Sequence, residues 1–170
     1  MKSNVHVKFR ALEPEDLDML YEIENDTELW DLGVTNVPYS RFLLHDYVAQ
    51  SRSDIYVDGQ VRLAIVGEEG EVVGLADLMN FDPKHRKAEL GFVIRKEYRR
   101  RGYAKATLLQ MLDYGLHTLH LHQLYAIVAL SNTATVNLFQ AFGYQPVSRL
   151  KEWLYDGKDY HDAYFFQCFL

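Results

Sequence analysis

The stretch that most narrows what this chain can fold into runs from Phe92 to Lys105 and reads Phe-Val-Ile-Arg-Lys-Glu-Tyr-Arg-Arg-Arg-Gly-Tyr-Ala-Lys. Leu90, Phe92 and Ile94 alternate with Glu89 and Gly91, the period-two pattern of a half-buried strand. From Ala104 onward the apolar residues Leu108, Met111, Leu112 and Leu116 recur at helical spacing, which predicts a helix of about four turns. A strand, a basic turn and a helix start therefore follow one another directly, and such a junction can aim several backbone N–H groups at one anion. Gly102 lets the main chain approach that anion, Ala104 stays small for the same reason, and Arg99, Arg100, Arg101 and Lys105 supply charge. A pyrophosphate is the natural guest. The two commoner phosphate motifs are absent: no G-x-x-x-x-G-K-[ST] occurs, and no G-x-G-x-x-G follows a strand. Taken alone, the three arginines also fit a solvated helix start or a weak nucleic-acid contact, although a net charge of −6 weighs against the latter.

The rest of the chain supplies the layers for that junction. Val5, Val7, Phe9 and Ala11 alternate as strand one, and Pro14 with Leu17, Leu20 and Tyr21 predicts a helix to about Asn25. Tyr39 to Arg52 carries a weaker helical pattern. Val61–Val66 and Val72–Met79 are β-rich runs joined by Gly67-Glu68-Glu69-Gly70-Glu71, hence an antiparallel hairpin. Ala88–Ile94 is strand four and Gln123–Ala129 strand five, and Asn132–Phe142 is a helix closed by Gly143. Two final strands, Gln145–Tyr155 and Tyr160–Phe169, flank an Asp156-Gly157 turn. The expectation is one domain spanning 1–170, of α/β class, with about seven strands and about four helices; no linker, repeat or low-complexity tract interrupts it. With 48% hydrophobic and 14% aromatic residues the chain has ample material for a core.

Charge is unevenly placed. Ala11 to Ser40 holds no Lys or Arg, yet it carries nine acids from Glu13 to Asp31, whereas six cations crowd into Arg95–Lys105. One region suits cations and the other anions, although the acidic run reads equally as a solvated helix face. The lone Cys168, the absence of zinc spacing and the lack of an apolar leader or long apolar run together predict a cytoplasmic protein with no metal and no membrane association. His117, His120 and His122 do not form a metal-binding face.

Arg99-x-x-Gly102-x-Ala104 resembles the [QR]-x-x-G-x-[GA] coenzyme A signature of the GNAT superfamily of N-acetyltransferases. The likeness extends to Phe9–Leu17, Val72–Leu78 and Ser131–Tyr144, in the family's order. Pro38-Tyr39, Arg86–Glu89, Asp113–Gly115 and the final hairpin are similar to the bacterial spermidine N-acetyltransferases, beside the Rim-type ribosomal-protein acetyltransferases. The resemblance implies a mixed, mostly antiparallel sheet whose fourth and fifth strands splay to admit the pantetheine arm of acetyl-CoA. It also implies that the main chain of Phe92, Val93 and Ile94 bonds that arm, that Arg99 to Lys105, Tyr103 included, hold the pyrophosphate, and that Asn132 and Asn137 line the far side. Asn132 also reads as a plain N-cap.

The acceptor implied is a polyamine, an amino-terminal peptide or another small amine, with Glu28, Trp30 and Tyr39 as the residues expected to hold it. An alkyl amine has a pKa of about 10 and must lose a proton before it attacks a thioester. Glu89 is the first candidate base and Asp77 the second; each also reads as a surface carboxylate facing a basic neighbour. The spermidine-type pattern places a tyrosine where this chain has Phe139, which leaves Tyr144 as a substitute proton donor, a position equally suited to core packing. Cys168 has no histidine partner in a motif, so direct transfer in a ternary complex is expected. The alternative is a coenzyme A-binding protein without chemistry. The resemblance further implies a homodimer or larger assembly, for which the aromatic-rich final hairpin is a candidate surface.

Overall fold

The computed structural model describes residues 5–30, 36–52 and 54–170. Asp31, one of the acids noted above, and Gly33 lie outside the described residues. The described strands are β1 (Lys8–Ala11), β2 (Val61–Val66), β3 (Val72–Asp82), β4 (Lys87–Ile94), β5 (Gln123–Ala129), β6 (Pro146–Tyr155) and β7 (Tyr160–Phe169). They form one sheet in the order β1-β2-β3-β4-β5-β7-β6. Every neighbouring pair is antiparallel except β4 and β5, which run parallel. This is the mixed sheet expected from the sequence.

Six helices occur among the described residues where four were expected: α1 (Leu17–Glu24), α2 (Thr27–Trp30), α3 (Arg41–Gln50), α4 (Ile55–Asp58), α5 (Tyr103–Asp113) and α6 (Thr133–Ala141). The additions, α2 and α4, are single turns too short to show a period. Local side-chain caps set several boundaries. Ser40 accepts from the Leu43 amide at 3.1 Å to start α3, Asp54 from Tyr56 at 2.9 Å to start α4, and Asn132 from Thr135 at 3.2 Å to start α6. The predicted long helix after the basic turn ends its α-helical part at Asp113 and continues as a wider π turn, Tyr114–Thr118. Gly115 sits in that turn because a Cβ there would lie 3.0 Å from Leu170 and 3.1 Å from Leu124.

The sheet is covered on both faces. Leu75 and Val93, register partners on β3 and β4, pack with Met19 and Leu20 of α1 and Leu44 of α3. The alternate residues, including Ala76, Leu78, Leu90 and Ile94, join Leu108 and Met111 of α5, Phe139 of α6 and Phe166 of β7 in the larger core. The Phe139 and Phe166 rings stack with centroids 4.8 Å apart. Where β1 leaves the sheet, Arg10 grips the buried Asp16 through two bonds of 2.6 and 2.9 Å, while Asp16 also accepts from the Glu13 amide at 2.9 Å. Burial alone would raise the Asp16 pKa, but the Arg10 bond, the Glu13 amide and the Arg10 charge together hold it below the usual carboxylate value.

Because that pKa is depressed in the folded protein, the Asp16 contribution is fully present above about pH 4 and is lost as pH falls through the folded value. Asp16→Asn is therefore expected to lower the urea midpoint at pH 7 and to narrow the gap to wild type near pH 3. Paired denaturation curves at the two pH values measure this.

Candidate active site

Strands β4 and β5 are hydrogen-bonded neighbours only where Lys87–Glu89 face Gln123–Tyr125. Beyond Glu89, β4 stays paired to β3 as far as Ile94, and β5 stays paired to β7 as far as Ala129, but the two strands part from each other. The inner backbone edge of β4 past Glu89 is thus left without a strand partner. A half-exposed peptide edge of this kind can take its hydrogen bonds from water or from a ligand. A cavity of about 890 Å³ opens on the fork, with Gly91, Phe92 and Val93 on one side and Ile127, Ala129 and Asn132 on the other.

At the outer end of β4 the chain makes a single 3-10 turn, Lys96–Tyr98, passes Arg100 at φ 60° and Gly102 at φ 93°, and enters α5. Gly102 is needed there because side-chain-bearing residues rarely adopt that φ. The first amide bonded back to the start of α5 is that of Ala106, to the Gly102 carbonyl at 3.1 Å, so the amides of Gly102, Tyr103, Ala104 and Lys105 point outward together. Among the described residues no carboxylate pairs with Arg99, Arg100, Arg101 or Lys105. Arg99 is steadied by a 2.9 Å bond from its Nε to the Ile94 carbonyl, and Arg101 lies over the Tyr98 ring. Tyr103 does something the sequence did not reveal. Its hydroxyl donates to Glu71 in the β2–β3 turn at 2.8 Å, a bond that pushes its own pKa up to about 12.

Open amides and unpaired cations fit a diphosphate, and the bare β4 edge fits an extended amide-bearing arm. At about 3.3 Å per residue, the edge from Ile94 back to Glu89 is roughly 17 Å long. Arg95 and Lys96 are not available to the same anion. Arg95 pairs with Glu97 at 2.8 Å and Glu22 at 3.8 Å, and Lys96 with Glu28 at 2.9 Å and Asp26 at 3.3 Å. The acidic and basic regions of the sequence thus partly satisfy each other, and Glu28 faces Lys96 outside the cavity lining.

The inner part of the cavity is acidic. Glu24, Asp58, Asp77 and Glu89 line it against one guanidinium, Arg62. Arg62 Nε bonds Asp77 at 2.6 Å, its Nη2 reaches the other Asp77 oxygen at 3.4 Å, and its Nη1 pairs with Glu24. Burial opposes the Arg62 charge, but Asp77 and then Glu24 outweigh it and raise the pKa. Asp77 is thereby an ion-paired carboxylate, whereas Glu89, half-buried where the fork begins, accepts a bond from the Asn80 carboxamide at 2.8 Å and pairs with no arginine or lysine among the described residues. Trp30 and Tyr39 line the wall as well. Trp30 donates to the Glu24 carbonyl at 3.0 Å, and Asn25 clips Tyr39 through bonds of 2.8 and 3.1 Å. Tyr47, unmarked in the sequence, lines the same wall, and burial raises its pKa.

Other expected residues fall elsewhere. Tyr144 packs against the core near Cys168, with its pKa raised by burial, and is not part of the cavity lining. Asn137 is exposed on α6, while Asn132 lines the cavity and caps the helix at once. Cys168 is fully buried and burial pushes its thiol up to about 12, so little thiolate forms near neutrality. Among the described residues no group of His, Cys, Asp or Glu is placed to hold a metal ion.

Residues 6–145 match the acetyltransferase (GNAT) domain family model. The chain is 29% identical over 167 residues to spermidine N(1)-acetyltransferase of Escherichia coli K12, covering 96% of this chain and 86% of that one. It is 27% identical to YdaF of Bacillus subtilis, which carries the provisional name of ribosomal N-acetyltransferase, with 97% and 92% covered. Among solved structures it resembles the Vibrio cholerae spermidine N-acetyltransferase in complex with CoA and spermine, with a TM-score of 0.85, 25% identity, and 96% and 95% covered.

Removing Arg62 would strand two carboxylates. Arg62→Met is expected to cost about 3 kcal/mol in urea unfolding at pH 7. Combining it with Glu24→Gln and Asp77→Leu is expected to recover most of that loss.

Proposed function

The chain belongs to the GNAT acetyltransferase family, and from that premise we propose that it transfers the acetyl group of acetyl-CoA to a primary amine of a cationic, polyamine-type acceptor. The observation that carries the acceptor class is the cavity wall itself, where four carboxylates face one guanidinium beside the fork. Such a wall lowers the energy of a bound ammonium and steers a cation inward. The names of the spermidine-acetylating relatives support the same choice. In this reading residues 1–170 act as one domain in the cytoplasm, where a buried, unpaired Cys168 is at home. The exposed Trp153, Tyr155 and Tyr160 of the β6–β7 hairpin support assembly into a dimer or larger form.

Bound acetyl-CoA supplies the thioester carbonyl that the amine attacks. Gly102 to Lys105 offer their amides and Arg99, Arg100 and Arg101 their charge to its diphosphate, and Phe92, Val93 and Ile94 offer the free β4 edge to its arm. Glu89 takes the proton that the amine must shed, since it is the half-buried carboxylate of the wall left without an arginine. Asp77 and Glu24 hold Arg62 and shape the wall. Trp30 and Tyr39 present aromatic faces to the acceptor's body and ammonium groups. Phe139 and Tyr144 serve the core, so no tyrosine on α6 delivers a proton to the departing thiolate. Transfer is direct, without an acetylated Cys168.

The test is thiol release from acetyl-CoA with spermidine, spermine, an aminoglycoside and a free amino-terminal peptide. The polyamines are expected to turn over fastest. Tight acetyl-CoA binding with no release for any acceptor would instead favour a non-catalytic coenzyme A-binding protein. Glu89→Gln is expected to lower kcat about 100-fold with little change in KM for acetyl-CoA. Gly102→Val, a branched residue forced to φ 93°, is expected to raise that KM about tenfold and leave the acceptor KM alone.

A further inference from the structure

Strand β3 contains an irregularity that its fold does not require. Its register with β4 steps from Met79 opposite Glu89 to Asp82 opposite Lys87, so Asn80 and Phe81 together oppose Ala88 alone. This is a β-bulge, a device that re-aims a side chain at the expense of local pairing. Within it Asn80 takes φ 49°, in the left-handed region that glycine occupies at lower cost. A glycine would serve the bulge better, so retention of a side chain calls for a reason. The Asn80 carboxamide supplies one: its Nδ2 donates to Glu89 Oε2 at 2.8 Å. Beside this contact stands Tyr125 of β5, the register partner of Glu89 across the last paired rung of β4 and β5. The strained residue therefore ties β3 to β4 at the point where β4 and β5 separate.

We propose that Asn80 is a positioning residue for acetyl transfer: the bulge turns its carboxamide onto Glu89, fixing the rotamer of the proton-accepting carboxylate where the strands part. This rests on the role given to Glu89 above. A free glutamate has three rotatable bonds, and a single donor on Oε2 holds one oxygen and leaves Oε1 to take the amine's proton. Asn80 itself touches neither acetyl donor nor acceptor.

The decisive variant is Asn80→Gly, which keeps the bulge, relieves the backbone strain and deletes only the carboxamide. With acetyl-CoA and spermidine it is expected to lower kcat about tenfold, leave KM for acetyl-CoA unchanged and leave the melting temperature level or higher. A residue of merely structural importance would show the reverse, a loss of stability with kcat retained. In the double variant with Glu89→Gln the Asn80 effect is expected to vanish, since both act through one carboxylate. A twofold or smaller change in kcat for Asn80→Gly, or losses that multiply in the double variant, overturns the proposal while the role of Glu89 stands. A second readout is independent of turnover. The side-chain amide signals of Asn80 in a 15N-labelled sample are expected to shift in Glu89→Ala, and unmoved signals overturn the proposal even for a protein that acetylates none of the amines tried. Failure of the wild type with every amine, with those signals shifted, removes the acetyltransferase reading and leaves the Asn80–Glu89 contact intact.

Discussion

Everything functional in this protein depends on one broken set of hydrogen bonds. Parallel strands normally stay paired along their length, because an unpaired peptide edge inside a protein is costly. Here β4 and β5 hold together for three residues and then separate, each backed on its far side by another strand. The antiparallel ladders to β3 and β7 keep the fork rigid, so the free β4 edge stays extended. A ligand that brings its own amides can complete the sheet, and most of the binding surface exists before it arrives. Preformed edges of this kind reduce the ordering that binding would otherwise require.

Charge is organised around the same fork. The acids of α1 and α2 do not form a free field, since Glu22, Asp26 and Glu28 are engaged with Arg95 and Lys96 at the root of the turn. Among the described residues this leaves Arg99, Arg100, Arg101 and Lys105 without a carboxylate at the turn after β4, and an acidic wall in the cavity. Arg62 divides that inner wall by function. It pairs with both Glu24 and Asp77, and Glu89 is left with a neutral partner. Asp77 and Glu89, on neighbouring strands, therefore stand in different electrostatic surroundings because of one guanidinium.

The sequence made the strand–turn–helix junction legible because all of its determinants lie within fourteen residues: alternation, a glycine at the turn and a run of cations. The hairpins were legible for similar reasons, with the mixed sheet following from the family likeness, whereas the place of β7 between β5 and β6 was not. Shorter elements were not. A one-turn helix such as Thr27–Trp30 shows no period, and the widening at Gly115 is dictated by Leu124 and Leu170, which are distant in sequence or belong to another strand. Arg62 carries a signal, a single charge within the apolar run Val61–Val66, but its meaning requires knowing that Asp77 and Glu24 converge on it. Asn80 was invisible for a different reason. Backbone strain leaves no mark in composition, and an asparagine near a strand end reads as a turn residue.

The position of β7 between β5 and β6 has a consequence for how the molecule comes into being. β5 forms one arm of the fork, yet among the described residues its one long ladder is to β7, which follows α6 and β6 in the chain. During synthesis the ribosome emits the basic turn, α5 and β5 well before the segment that braces β5. Until then this arm has one three-residue pairing and an exposed apolar flank, a state open to mispairing and to capture by other nascent chains. Competence to bind anything in the fork thus appears late and all at once, when Tyr160–Phe169 slides into its slot.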